Sequence, residues 1–204
     1  MRYLWGRGDA RSPPLSLPPG AGRVNLAVMA REIERKYLAT PDAVPRRGRG
    51  RRIRQFYFRL PEGGGIGRVR CEGGRYVVTL KSGHRGISRR EIEGAVPRAL
   101  GRELERLLCA AGGVVKRRFV RRWDGRRWEV DVFEGDNRGL ILAEVELRRS
   151  DERVVPPPWV AVEVTHDRRF DNASLAERPW RRWPERERAA AKAGRVAGVR
   201  RAPR

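Results

Sequence analysis

The feature that most constrains this chain is a period-two alternation whose polar half is filled by charge, not by a loose polar mixture. Glu32, Glu34 and Lys36 fall on one side of the first such segment, and Ile33 and Tyr37 on the other. The pattern returns with Arg68 and Arg70 around Val69, Lys81 beside Leu80, and Glu91 and Glu93 around Ile92. It continues with Lys116 and Arg118 against Val115 and Phe119, then with Glu129 and Asp131 around Val130. Glu144 and Glu146 flank Val145, and Glu163 lies between Val162 and Val164. Successive side chains on a strand point to opposite faces, so each pair projects the same way. Strands are expected at about 31–38, 53–60, 66–72, 75–82, 87–95, 114–122, 127–134, 140–149 and 160–165. Gly73-Gly74, Asp124-Gly125 and Gly135-Asp136-Asn137 supply turns between them. One helix is expected near 98–111, with Leu100, Leu104, Leu107, Leu108 and Ala111 on one face and Gly112-Gly113 as its stop. A second, short one starts at Asn172, a good N-cap residue.

For any single pair, a sheet with one wet face explains the pattern. The set says more, because basic pairs and acidic pairs occupy separate strands, as an anion site facing a cation site requires. If the sheet closes into a barrel, the charged residues line its interior and the apolar face turns outward to receive helices. A triphosphate needs several Lys and Arg donors to hold it. Magnesium prefers oxygen ligands, commonly carboxylates together with substrate phosphates. Positioning and electrostatics provide most of the catalysis in phosphoryl transfer, and no Ser, Cys or His nucleophile is required.

The net charge of +22 points to an anionic partner, although part of it lies at the ends. Residues 1–28, rich in Pro, Gly and Arg, carry +3 and read as disordered; residues 181–204 form a basic tail of +7. Met29, just before the first strand, is a second candidate start of translation. The expected domain is 29–180. Cys71 and Cys109 are too few for a disulfide framework and read as structural. No apolar run reaches the roughly 18 residues of a membrane span. Prolines at 13, 14, 18 and 19 interrupt the N-terminus, so no secretory signal is expected and the location is read as cytoplasmic. Gly63-Gly64-Gly65-Ile66-Gly67 lacks the Lys-Ser/Thr of a P-loop and reads as a hairpin turn. His84 and His166 are isolated, and most of the Trp residues are expected to pack the outer face.

Read in order, these segments resemble the CYTH or triphosphate tunnel metalloenzyme superfamily. Glu32-Ile33-Glu34-Arg35-Lys36 matches its E-x-E-x-K hallmark, Arg68-Val69-Arg70 its R-V-R strand, and Thr79-Leu80-Lys81 its basic strand. Ser88-Arg89-Arg90-Glu91-Ile92-Glu93, Lys116-Arg117-Arg118-Phe119 and the late acidic strands follow in the family's order. The resemblance implies a mainly β protein, a closed eight-stranded antiparallel barrel with helices packed outside. It implies that Lys36, Arg68, Arg70, Lys81, Lys116 and Arg118 bind substrate. Glu32, Glu34, Glu144 and Glu146 would be the leading ligands of Mg²⁺ or Mn²⁺, with Glu91, Asp131 and Glu163 as further candidates. Lys36 and Tyr57 are the candidates for a catalytic role. The opening strand most resembles the bacterial inorganic triphosphatases, which implies hydrolysis of tripolyphosphate to pyrophosphate and phosphate. A class IV adenylate cyclase and a non-enzymatic binder of polyphosphate or nucleic acid remain alternatives. Carboxylates facing a nucleic acid backbone cost affinity unless metals bridge them, which counts against the binder, and nucleic-acid contact by the basic tails is an open alternative that is not favoured. The expected partner is a small triphosphate, with no membrane. Segment 46–54, six of whose nine residues are Arg, departs from the family pattern.

Overall fold

The computed structural model describes residues 27–28, 33–60, 65–81, 91–194 and 200–201. Its strands are β1 (Ala27–Val28), β2 (Ile33–Ala39), β3 (Arg51–Arg59), β4 (Ile66–Glu72), β5 (Arg75–Lys81), β6 (Glu91–Val96), β7 (Gly113–Trp123), β8 (Arg126–Phe133), β9 (Ile141–Leu147), β10 (Val160–Glu163) and β11 (Arg200–Arg201). Helices α1 (Arg98–Leu108), α2 (Asn172–Glu177) and α3 (Glu185–Lys192) interrupt or follow them. All the strands join one antiparallel sheet in the order β1-β6-β5-β4-β3-β7-β8-β9-β2-β10-β11. The hairpins turn where the chain can adopt a left-handed backbone: Gly73 and Gly74 at φ 57° and 80°, Asp124 and Gly125 at φ 49° and 70°. Two consecutive residues of positive φ match the right-handed twist of the flanking strands.

The closed eight-stranded barrel is not what the hydrogen bonds build. Nine strands run from β6 to β10, and among the described residues these two do not pair with each other; β6 takes β1 and β10 takes β11. Closure depends on strand tilt and stagger around the whole sheet, which the local alternation does not encode. Residues 1–26 lie outside the described residues, as does the part of the expected strand 87–95 before Glu91.

Two apolar clusters cover the face opposite the charges. Tyr37, Trp128, Val130, Ala143, Val145 and Leu147 pack beneath Val154 and Trp159, with Ala43 from a 3-10 turn. Val69, Cys71 and Tyr76 lie beneath α1, which contributes Leu104 and Leu108. Gly101 lets α1 sit this close, since a Cβ there would fall 2.1 Å from the Tyr76 ring. Glu105 accepts hydrogen bonds from Arg54 Nε at 2.6 Å, Arg54 Nη2 at 2.9 Å and the Tyr76 hydroxyl at 2.6 Å. The face of α1 toward the sheet is therefore Gly101, Leu104, Glu105 and Leu108. It is rotated from the expected leucine stripe, and Leu100 and Leu107 remain 50% and 61% exposed.

The charged face also has an apolar end. Leu38, Val114, Phe133 and Leu142 each stand two residues along their strand from a charged residue, and Leu175 and Ala176 of α2 pack onto them. Phe170, Trp180, Trp183 and Ala191 complete this plug. Within the basic tail expected from residue 181, residues 185–192 form α3. Trp183 and Ala191 are 3% and 0% exposed, and Glu187 of α3 pairs with Arg178 at 3.0 Å. The charges of this segment face outward, and a few inward residues fix it. Among the described residues no helix is long and apolar enough to cross a membrane.

Candidate functional site

Register places the charged residues in facing rows on one side of the sheet. Lys36 opposes Glu144, Glu34 opposes Glu146, Glu129 opposes Glu144, and Arg118 opposes Asp131. Farther along, Gln55 opposes Arg70, Tyr57 opposes Arg68, and Arg68 opposes Thr79. Carboxylates directly across from one another, as in Glu34/Glu146 and Glu129/Glu144, destabilise a sheet unless a cation joins them. The face is concave. Arg118 of β7 reaches across β8 to Glu144 of β9 at 3.3 Å, and Tyr57 of β3 packs against the cluster that holds Leu142 of β9 and Leu38 of β2. The result is a trough with acidic strands β8, β9 and β2 on one bank and Arg68, Arg70 and Lys81 on the other.

At its floor Lys116 Nζ lies 2.5 Å from Asp131 and 3.2 Å from Asn172 Oδ1, and both Lys116 and Asp131 are 1% exposed. Arg118 donates to both oxygens of Asp131, at 2.7 and 2.6 Å, and also pairs with Glu129. Burial works to raise the Asp131 pKa, but Lys116 and Arg118 outweigh it and push it down to about 2. Lys36 Nζ lies 3.3 Å from Glu144, 3.6 Å from Glu34 and 3.7 Å from Asp171. Burial works to lower its pKa; Glu144, Glu34 and Asp171 overcome this and hold it above the ordinary lysine value. The Tyr57 hydroxyl donates to Gln55 Oε1 at 3.1 Å. Burial pushes its pKa up, with Arg68 and Arg70 opposing and Glu144 and Asp171 adding to the rise, so it stays a neutral phenol.

Residues 30–178 match the CYTH domain model. The chain belongs to the CYTH family. It is 34% identical over 157 residues to the inorganic triphosphatase of Acetivibrio thermocellus, covering 77% of this chain and 100% of that one. It is 38% identical over 156 residues to the inorganic triphosphatase of Nitrosomonas europaea, covering 71% and 96%. A solved structure of the inorganic triphosphatase NE1496 superimposes with a TM-score of 0.55 at 33% identity, over 74% of this chain and 97% of the other. The triphosphate tunnel metalloenzymes of this family are metal-dependent.

Within this CYTH fold Lys36, Tyr57, Arg68, Arg70, Lys81, Lys116, Arg118, Glu34, Asp131, Glu144 and Glu146 share the trough face. Glu163 does not join them. It opposes Tyr37 on the other face, where Thr165 donates to it at 2.8 Å, because an irregularity in the β2–β10 register sends Val162 and Val164 inward instead. Glu32 and the side chain of Glu91 lie outside the described residues. Among the described residues no three acidic, His or Cys side chains are spaced to hold a metal ion as they stand, with Lys36 and Arg118 lying between the carboxylates. The donor set still fits a hard divalent cation, since all its members are carboxylate oxygens and two pairs oppose like charges. Sequence reasoning missed Asp171 as a partner of Lys36. Asp171 precedes α2 outside any periodic segment, and only its place before Asn172 marks it.

Proposed function

We propose that this chain hydrolyses inorganic tripolyphosphate to pyrophosphate and orthophosphate within the trough, with Mg²⁺ or Mn²⁺ as the metal. The observation that carries this reading is a single concave face that sets Arg68, Arg70 and Lys81 across from Glu34, Glu144 and Glu146, with Lys36, Lys116 and Arg118 between. Its two inorganic triphosphatase relatives support the substrate class. The basic residues bind the phosphoryl oxygens and neutralise the charge that the leaving pyrophosphate gathers. Lys36, held above its ordinary pKa, acts as a cation and not as a base. Tyr57 keeps its proton and donates it to Gln55 at the plugged end. Glu34, Glu144 and Glu146 would hold the metal, with Glu32 and Asp131 in support, and a bound divalent ion supplies charge neutralisation at the phosphoryl group. An attacking water is oriented by hydrogen bonds to the acidic bank. Glu163, on the other face, has no part in this proposal.

The test measures phosphate release from tripolyphosphate and ATP with and without Mg²⁺ or Mn²⁺, and separates the nucleotide products. We expect metal-dependent turnover with higher kcat/KM for tripolyphosphate than for ATP, abolished in the Glu144→Gln/Glu146→Gln double variant while its circular dichroism is unchanged. A dominant cyclic AMP product would replace the hydrolase reading with a cyclase. Full activity in the double variant would remove these carboxylates from the site.

A further inference from the structure

Among the described residues two buried side-chain polar atoms lack a hydrogen-bond partner, Trp128 Nε1 and Arg68 Nε. Trp128 belongs to the apolar cluster on the outer face. Arg68 stands in the trough, where an unsatisfied buried donor costs stability unless something comes to fill it. At the other end of its guanidinium, Nη2 is engaged twice. Register aligns Arg68, Thr79 and Glu93 in one row across β4, β5 and β6. Arg68 Nη2 donates to Thr79 Oγ1 at 3.0 Å and to Glu93 Oε2 at 3.1 Å, and Thr79 Oγ1 donates to the same Glu93 oxygen at 2.8 Å. Thr79 is 0% exposed, so its hydroxyl at the centre of this triangle is shielded from water.

Arg118 uses Nε, Nη1 and Nη2 on Asp131, Glu129 and Glu144, so each of its nitrogens already meets a protein acceptor. Arg68 holds one nitrogen on protein acceptors and keeps Nε unpaired. A long arginine side chain loses much rotamer freedom when it is fixed on a ligand, and a guanidinium already clamped at one end has less to lose. We propose that Thr79 and Glu93 are positioning residues that lock the Arg68 guanidinium in the pose in which it meets a phosphoryl oxygen of the substrate. The inference rests on the triphosphate reading of the trough and adds two residues that do not touch the substrate themselves. Glu93 acts through its hydrogen bond and charge on Arg68, and Thr79 through the hydroxyl that joins the two.

A double-mutant cycle on tripolyphosphate hydrolysis tests this. Thr79→Val and Glu93→Gln should each lower kcat/KM by about fivefold or more, and Thr79→Ser, which keeps the hydroxyl, should recover activity to within about twofold. In an Arg68→Ala background the same substitutions should change kcat/KM by less than about twofold, because nothing is left to position. A purely structural role would instead lower activity by the same factor in both backgrounds, and that additivity would overturn the proposal. Wild-type kcat/KM in both Glu93→Gln and Thr79→Val would also overturn it. If Thr79→Val does not fold, the cycle run with Glu93→Gln decides alone, since Glu93 is only half-buried. Should Arg68→Ala itself retain full kcat/KM while Glu144→Gln/Glu146→Gln is dead, the proposal falls and the triphosphatase reading stands. If neither variant loses activity, that reading falls with it.

Discussion

Lys116 and Asp131 are each 1% exposed and 2.5 Å apart, and Arg118 closes on the same carboxylate. Removing one member of such a group leaves buried charge uncompensated, which costs far more than the intact group contributes. Asp131→Asn should therefore destabilise the protein by about 3–5 kcal/mol, read from urea unfolding midpoints. Asp171→Asn, at a carboxylate that is 51% exposed and 3.7 Å from Lys36, should cost less than about 1 kcal/mol because solvent screens that pair. Equal losses in the two variants would mean that burial does not set the strength of these ion pairs. At this scale the trough was legible wherever a residue sat in an alternating strand, because strand geometry fixes its side from its number alone. Asp171 was not legible, since its approach to Lys36 depends on how the plug packs. Glu163 shows the opposite failure: its period was right, and an irregularity in pairing turned it outward.

The elements were legible to the extent that they are local. Nine alternating segments were expected, and each coincides with a strand between β2 and β10. Helix α1 was found by its leucines, but its packed face was set by Gly101 and Glu105, which a hydrophobic stripe does not reveal. That face makes α1 sensitive to pH at both extremes. The hydrogen bond from Arg54 holds the Glu105 carboxyl below its ordinary value. A depressed carboxylate stabilises fully above its unfolded pKa of about 4.3, and the contribution is lost as pH falls through the folded value. Tyr76, pushed up to about 12 chiefly by its hydrogen bond to Glu105, behaves the other way. Its contribution is complete below about pH 10 and lost as pH rises through about 12. Glu105→Gln should lower stability at pH 7 by about 1.5–3 kcal/mol and flatten the acid side of the profile. Thermal melts between pH 3 and 7 check this, and an unchanged acid slope in the variant would show that Arg54 and Glu105 do not hold α1.

At the scale of the whole molecule, the sheet needs something to cover the apolar end of its concave face, and the chain after β10 supplies it. Phe170, Trp180 and Trp183 pack as tilted rings with centroids 5.0–6.1 Å apart. Arg169 and Arg178 lie over Trp183 at 5.0 and 5.6 Å. Glu187 of α3 pairs with both arginines, at 3.7 and 3.0 Å, and Ala191 is fully buried. Composition hid this arrangement, because a run rich in Arg, Glu and Ala reads as solvated when a single face of one short helix makes the contact. The same plug carries Asp171 to Lys36 and Asn172 to Lys116, so its support reaches the trough. Ending the chain after Trp183 removes α3 and uncovers Trp183, which should cost more than about 2 kcal/mol from lost apolar burial alone. Ending it after Gly194 keeps α3 and should leave the melting temperature within a few degrees of the full chain. The shorter form should also lose tripolyphosphate turnover in proportion to its loosened plug, seen as faster amide exchange over 168–177. If both truncated forms melt together with the full chain, α3 is an ornament on the plug and the site is held by the sheet alone.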